Sequence, residues 1–204
     1  SAISALNGAR PAPAPMLASR VAGDIEAASF LVSEKLDGVR ARWDGRALWT
    51  RSGTRIDAPP GFTRGWPAQP MDGELWLGPS RFQAISDLVR ALQRDDRAWR
   101  AVRFMAFDLP GDGSHFARRT LRLQAVVAAA DSIHLEHIPQ RHFTNRALLD
   151  AQLDAVMAGG GEGLMLHHAL AHYRAGRSDT LLKHKRGRDA EARVVGYRPG
   201  KGKY

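Results

Sequence analysis

The chain has 204 residues, 44% hydrophobic and 25% charged, which fits one soluble globular core and excludes a low-complexity or fibrous protein. Its formal charge of +9 at neutral pH favours polyanionic partners such as nucleic acid or acidic membrane surfaces. The absence of cysteine excludes disulfides, thiolate catalysis and cysteine-ligated zinc, and no apolar run reaches the ~18 residues that a bilayer crossing needs.

Residues 1–28 lack sustained periodicity and carry Pro11, Pro13 and Pro15, which predicts an extended N-terminal arm ahead of a folded body starting near Phe30. Because the sequence opens on Ser1 rather than Met, the arm reads as the remnant of a segment from which a leader or tag has been cleaved. Residues 30–35, 39–43 and 47–51 read as strands with Asp44-Gly45 as a turn, so an antiparallel meander is expected there. A Pro/Gly-rich loop covers 58–70.

Over 81–99 the positions Phe82, Ile85, Leu88, Val89 and Leu92 recur at helical spacing, predicting one amphipathic helix. A buried strand over 102–109, a helix over 118–130, a strand over 133–138 and a helix over 145–157 come next. Gly159-Gly160-Gly161 reads as a flexible connection, and strand segments over 163–167, 180–185 and 192–197 complete the pattern. Interspersed helices and strands define an α+β fold with its main domain over 29–190, and residues 191–204 form a last strand and a basic, glycine-rich linker.

Of the 30 basic residues only five are lysine, at positions 35, 183, 185, 201 and 203. A chain that so prefers arginine keeps lysine where an amine must lose its proton and attack, although chance accounts for any single one. Lys35 lies in Glu34-Lys35-Leu36-Asp37-Gly38, where alternation in an extended segment puts Lys35 and Asp37 on one side. Lys-x-Asp-Gly taken alone is equally an ordinary hairpin turn. His167, His168, His172 and His184 show no fixed zinc-ligand constellation and read as polar loop histidines.

Lys35-Leu36-Asp37-Gly38-Val39-Arg40 resembles the first motif of the covalent nucleotidyltransferases: DNA ligases, RNA ligases and mRNA capping enzymes. Four more segments resemble later motifs in the family's order: Asp72-Gly73-Glu74-Leu75-Trp76, the aromatic strand 104–109, Glu162-Gly163-Leu164-Met165 and Leu182-Lys183-His184-Lys185. The match runs over residues 33–185 and is greatest to minimal bacterial ATP-dependent DNA ligases. It implies an ATP-grasp-like nucleotidyltransferase domain of antiparallel sheets flanked by helices.

By the same resemblance, Lys35 is the nucleophile that takes AMP from ATP. Glu74 binds the ribose, Arg40 contacts the sugar or phosphate side, and Phe107, otherwise a core aromatic, stacks on adenine. Ser33 touches the adenine edge or caps backbone, and Glu34 belongs to the same nucleotide-binding segment. Lys183 and Lys185 meet the α-phosphate, while Glu162 and Asp37 hold Mg²⁺ or Mn²⁺. Arg51, Arg174 and Arg177 are candidates to grip the 5′-phosphate of nicked double-stranded DNA.

Relatives of this kind append a C-terminal OB-fold domain after the fifth motif, toward which residues 191–204 would lead. The implied protein is a monomeric bacterial ligase of DNA repair, replication or recombination, without a membrane partner, in the periplasm or the cytoplasm. An RNA ligase or a capping-type guanylyltransferase shares the motifs. A noncatalytic basic nucleic-acid-binding module shares only the charge.

Overall fold

The computed structural model describes residues 14–186; the strand expected over 192–197 and the linker after it lie outside the described residues. In chain order the strands are β1 (Met16–Arg20), β2 (Phe30–Glu34), β3 (Val39–Trp43), β4 (Leu48–Thr50), β5 (Arg55–Ile56), β6 (Met71–Trp76), β7 (Arg103–Asp108), β8 (Leu135–His137), β9 (Arg141–His142), β10 (Leu164–His168) and β11 (Gly176–His184). The α-helices are α1 (Phe82–Arg90), α2 (Asp96–Trp99), α3 (Phe116–Ala130) and α4 (Arg146–Ala158). The strands form two sheets, ordered β1-β11-β10-β2-β9 and β5-β4-β3-β6-β7-β8.

The sheets are not wholly antiparallel as expected, because β1 runs parallel to β11 and β8 parallel to β7. The ordered body also reaches back to Met16, ahead of the start expected near Phe30. Backbone pairing with β11 outweighs the weak side-chain periodicity of this segment, whose burial does not alternate cleanly.

The expected meander is corrected at its first turn: β2 pairs with β10 and β9 in one sheet, whereas β3 pairs with β4 and β6 in the other. Separate cores claim the two strands. Phe30 and Val32 pack with Leu164, Leu166 and Leu182 against Leu149 and Leu153 of α4. Ala41 and Trp43 instead join Leu48, Leu75 and Phe104 with Ile85 of α1 and Leu123 of α3. Each fully buried side chain of this size contributes roughly 1.5–3 kcal/mol, so either assignment outweighs a local turn preference.

Residues 35–38 therefore cross between sheets. Gly38 is required for close approach: a Cβ there would lie 2.2 Å from the Leu75 carbonyl oxygen and 2.9 Å from Glu74 Cγ. The crossover is thereby seated directly on β6.

The single helix expected over 81–99 is two. α1 ends at Arg90, where Ala91 turns extended at φ −58° and ψ 134°, and Asp95 caps α2 by accepting from the Ala98 N–H at 3.0 Å. The break lets Trp99 turn inward onto Phe62, ring centroids 4.9 Å apart, and leaves Leu92 fully exposed. Asn145 caps α4 through Leu148 N–H at 2.9 Å, in agreement with the predicted start.

Candidate active site

Strand alternation builds the site. On the first sheet, Phe30, Val32, Leu164, Leu166 and Leu182 face α4, while Ser33, Met165, His167, Leu181 and Lys183 line a cavity of about 260 Å³. From the second sheet Arg40, Glu74 and Phe107 line the same cavity. Glu34, Lys35, Arg51 and Arg177 complete the set of predicted residues that reach it. Segments scattered over the chain thus converge between the two sheets.

Lys35 Nζ donates to Glu162 Oε1 at 3.1 Å, and Lys185 Nζ donates to the same oxygen at 2.8 Å. Burial pushes the Glu162 carboxyl up, but the hydrogen bonds and charges of Lys185 and Lys35 outweigh it and hold the group below its ordinary range. Gly163 serves this geometry: its φ is 154°, a Cβ would come within 2.6 Å of the His184 carbonyl, and its own carbonyl accepts from the Lys35 N–H at 2.9 Å. The backbones bearing Lys35, Glu162 and Lys185 are locked together at one point.

Lys183 points into the cavity, whereas Lys185 lies just past the strand end and does not line it. Burial first, then the charges of Arg20, Arg177, Lys185 and Lys35, lower the Lys183 pKa below its usual value. Arg177 is exposed but tethered, donating to the Ala18 carbonyl at 2.7 Å. The result is a cation-rich wall suited to phosphate oxygens.

Arg40 and Glu74 are directly paired in the β3/β6 register. Burial raises the Glu74 carboxyl to about 7, opposed by Arg40, Lys35 and the Gly38 N–H. The Arg40 guanidinium lies over the Phe107 ring, 4.8 Å from its centroid. An adenine stacking on that face would displace the guanidinium, and one using the other face would leave it in place.

A buried polar network missed at the sequence level holds Arg40. Asp72 is 1% exposed; Arg42 Nε donates to its Oδ1 at 2.7 Å, and Arg40 Nη2 reaches its Oδ2 at 3.4 Å. Tyr173 donates to Asp72, accepts from Arg42 Nη2 at 2.7 Å and from the Met16 N–H at 3.1 Å, while the Met16 carbonyl accepts from Arg40 at 3.2 Å. A second buried fork joins Arg119 to Asp108 at 2.7 and 3.2 Å. The available signal was a carboxylate next to apolar residues in each strand, Asp72 after Met71 and Asp108 between Phe107 and Leu109, since such a group needs a buried partner.

Not every predicted residue arrives. Asp37 does not line the cavity that Lys35 enters, because β2 ends at Glu34 and the same-side alternation does not extend through the crossover. Arg174 is exposed and also outside the cavity lining. The histidines are corrected as well: His167 and His168 lie in β10 and His184 in β11, with His167 and His184 buried. Strand alternation carries His167 to the cavity face and His184 to the α4 face, where its Nε2 lies 3.1 Å from Asp150 Oδ1.

Among the described residues no group of three or more histidines or carboxylates is gathered to hold a metal ion. Glu162 Oε2, however, is buried without a hydrogen-bond partner. One free, anchored carboxylate oxygen fits a hard divalent cation whose other ligands are phosphate oxygens and water. No helix among the described residues is long and apolar enough to cross a membrane.

No protein-family profile matches the chain. A curated DNA ligase of Haemophilus influenzae is 31% identical over 175 residues, covering 86% of this chain. The chain spans 65% of that relative's length. A solved structure of a Lig E DNA ligase, described as binding DNA with a minimal scaffold, matches with a TM-score of 0.79 and 41% identity over 84% of this chain and 68% of its own. Chlorella virus DNA ligase-adenylate shares the fold with a TM-score of 0.71 at 19% identity, over 86% of this chain and 68% of its own.

Proposed function

The chain belongs to the DNA ligase family, and on that premise we propose that it is the nucleotidyltransferase core of an ATP-dependent DNA ligase in which Lys35 carries AMP from ATP to a nick. The observation that carries this reading is the convergence of Lys35 and Lys185 on Glu162 Oε1 beside a cavity lined by Glu74, Arg40 and Lys183. A neighbouring cation-rich wall and a nucleophilic amine suit phosphoryl transfer, whose demands are positioning and charge neutralisation.

In the first step the Lys35 amine, having given up its proton, attacks the α-phosphorus; the N–P bond forms as the bond to the pyrophosphate oxygen breaks. Next an oxygen of the nick's 5′-phosphate takes the AMP, and the lysine regains its proton. The 3′-hydroxyl then attacks the 5′-phosphorus, loses its proton and expels AMP. Throughout, Lys183 and Lys185 offset phosphate charge, Glu74 and Arg40 hold the sugar, and Phe107 bears the base. Ser33 and Glu34 shape the nucleotide side of the pocket.

A divalent cation such as magnesium would be held through the unpaired Glu162 oxygen, with phosphate oxygens and water rather than the outlying Asp37 as its other ligands, and would supply Lewis-acid stabilisation of the α-phosphate. Arg51 and Arg177, which line the cavity, and exposed Arg174 grip the nicked duplex through its phosphates. Binding then weakens steeply as salt rises. Resemblance to minimal bacterial ligases supports a monomer acting in the periplasm, which sedimentation and cell fractionation of the full-length protein test.

Incubation with α-labelled ATP, pyrophosphatase and Mg²⁺ should yield an acid-labile, alkali-stable adduct on Lys35. Lys35→Ala and Lys35→Arg should both abolish it. An adduct that survives Lys35→Ala sinks the assignment, and a preference for GTP would make the chain a guanylyltransferase instead. Silence of Lys35→Arg in nucleic-acid binding, with no adduct in the parent, would make it a noncatalytic binding module.

A further inference from the structure

Two buried polar atoms in cavity-lining residues take no hydrogen bond: Oε1 of Gln140 and Nε2 of His167. Folded proteins seldom leave such atoms bare unless a ligand or an ordered water completes them. Gln140 lies between β8 of one sheet and β9 of the other, and His167 lies in β10. His167 is 5% exposed, and its ring stacks on Phe116 with centroids 3.6 Å apart and planes 14° from parallel.

The other cavity residues fall into two chemical groups. Lys35, Arg40, Glu74 and Lys183 are charged and suit phosphates and a sugar, while Phe116, Ile138 and Met165 are apolar. An apolar lining with two bare polar atoms fits a flat heteroaromatic ring that carries polar groups only on its edge. Burial, then the charges of Arg119 and His168, hold the His167 pKa well below its ordinary value, so the ring is neutral and has one N–H to give.

We propose that Gln140 and His167 read the edge of the purine, Gln140 Oε1 accepting from the exocyclic amine of adenine and His167 Nε2 donating to a ring nitrogen. The assignment rests on the nucleotidyltransferase reading and adds the base selection to it. Guanine would place a carbonyl oxygen where adenine has its amine, setting two acceptors against each other.

The test uses the full chain and compares rates of covalent adduct formation from ATP and from purine riboside 5′-triphosphate, which lacks only the amine. Wild type should favour ATP by about tenfold or more, because the analogue leaves a buried acceptor bare. Gln140→Met should bring the two rates within about twofold of each other, chiefly by slowing ATP. His167→Phe keeps a ring on Phe116 but removes Nε2, and should slow both nucleotides by a similar factor, since both retain the ring nitrogens.

Each ratio is measured within one variant, so it is insensitive to how much of that variant is folded; Gln140→Ala provides the same comparison should Met disturb the packing. An unchanged ratio in the Gln140 variants overturns the proposal while leaving lysyl-AMP formation intact. Unaltered rates in His167→Phe remove His167 from the assignment. No adduct from wild type with any triphosphate overturns both this proposal and the function it rests on.

Discussion

Glu162 Oε1 accepts a hydrogen bond from Lys35 Nζ at 3.1 Å across 127 residues of chain. The same oxygen serves Lys185, so one carboxylate fixes both amines that the proposed chemistry uses. Its second oxygen remains open for a cation.

Glu162→Gln should therefore cut adduct formation by about 10–100-fold and raise the Mg²⁺ concentration needed for half-maximal rate. The folded Glu162 pKa is depressed, so its contribution to stability is present above the unfolded value, about 4.3, and is lost as pH falls through the folded one. Denaturant unfolding of the two proteins should accordingly differ at pH 6 and converge in acid. A stability gap that persists unchanged into acid would contradict this.

Glu74 behaves in the opposite sense. Its carboxyl is raised from 4.5 to about 7, so between those values the folded state holds a proton that the unfolded chain has released. The wild type should lose stability relative to Glu74→Gln as pH rises through that window. Parallel unfolding curves from pH 5 to 7.5 would show that the carboxyl is not so perturbed.

Gly38→Ala places a methyl carbon 2.2 Å from a backbone carbonyl of β6. Backbone cannot yield as a flexible side chain can, so the substitution should cost roughly 1–3 kcal/mol. Because Lys35 rides on the same crossover, adduct formation should fall by about 10²-fold even where the protein is folded. Circular dichroism beside the adduct assay separates the two effects.

Tyr173→Phe removes the hydroxyl that links Asp72, Arg42 and the Met16 amide. With Asp72 and Arg42 both buried, a loss of about 1–3 kcal/mol is expected in chemical denaturation. Arg42→Met strips the carboxylate of its main partner and should cost more, about 3–5 kcal/mol. Equal effects of the two changes would argue against the network as described.

Most elements and the candidate site residues could be read from the sequence because their signals are local, although β1 could not. Alternation marked β2 and β3, helical spacing and Asn145 marked α4, and the ordered segments around Lys35, Glu74, Glu162 and Lys183 marked the site. Sheet membership was not legible: β2 and β3 carry the same period, and what separates them is packing against Leu164 and Leu166 on one side and Leu75 and Phe104 on the other. The break at Ala91 was hidden because Leu92 continues the apolar spacing that Trp99 interrupts by turning inward.

Nothing local marks Arg119, within the helix expected over 118–130, as different from the chain's other arginines, yet it is fully buried and forked onto Asp108. The sequence by itself supplied the candidates, a scarce lysine, further cations and carboxylates in segments that resemble one family's ordered motifs. Only the tertiary structure decided that Lys35 and Lys185 share one Glu162 oxygen and that Asp37 stands outside the cavity. It also decided that Gln140 and His167 bring bare polar atoms to the cavity. Such relations depend on strand pairings between distant segments, whose free energy comes from two cores forming together and is invisible in any local window.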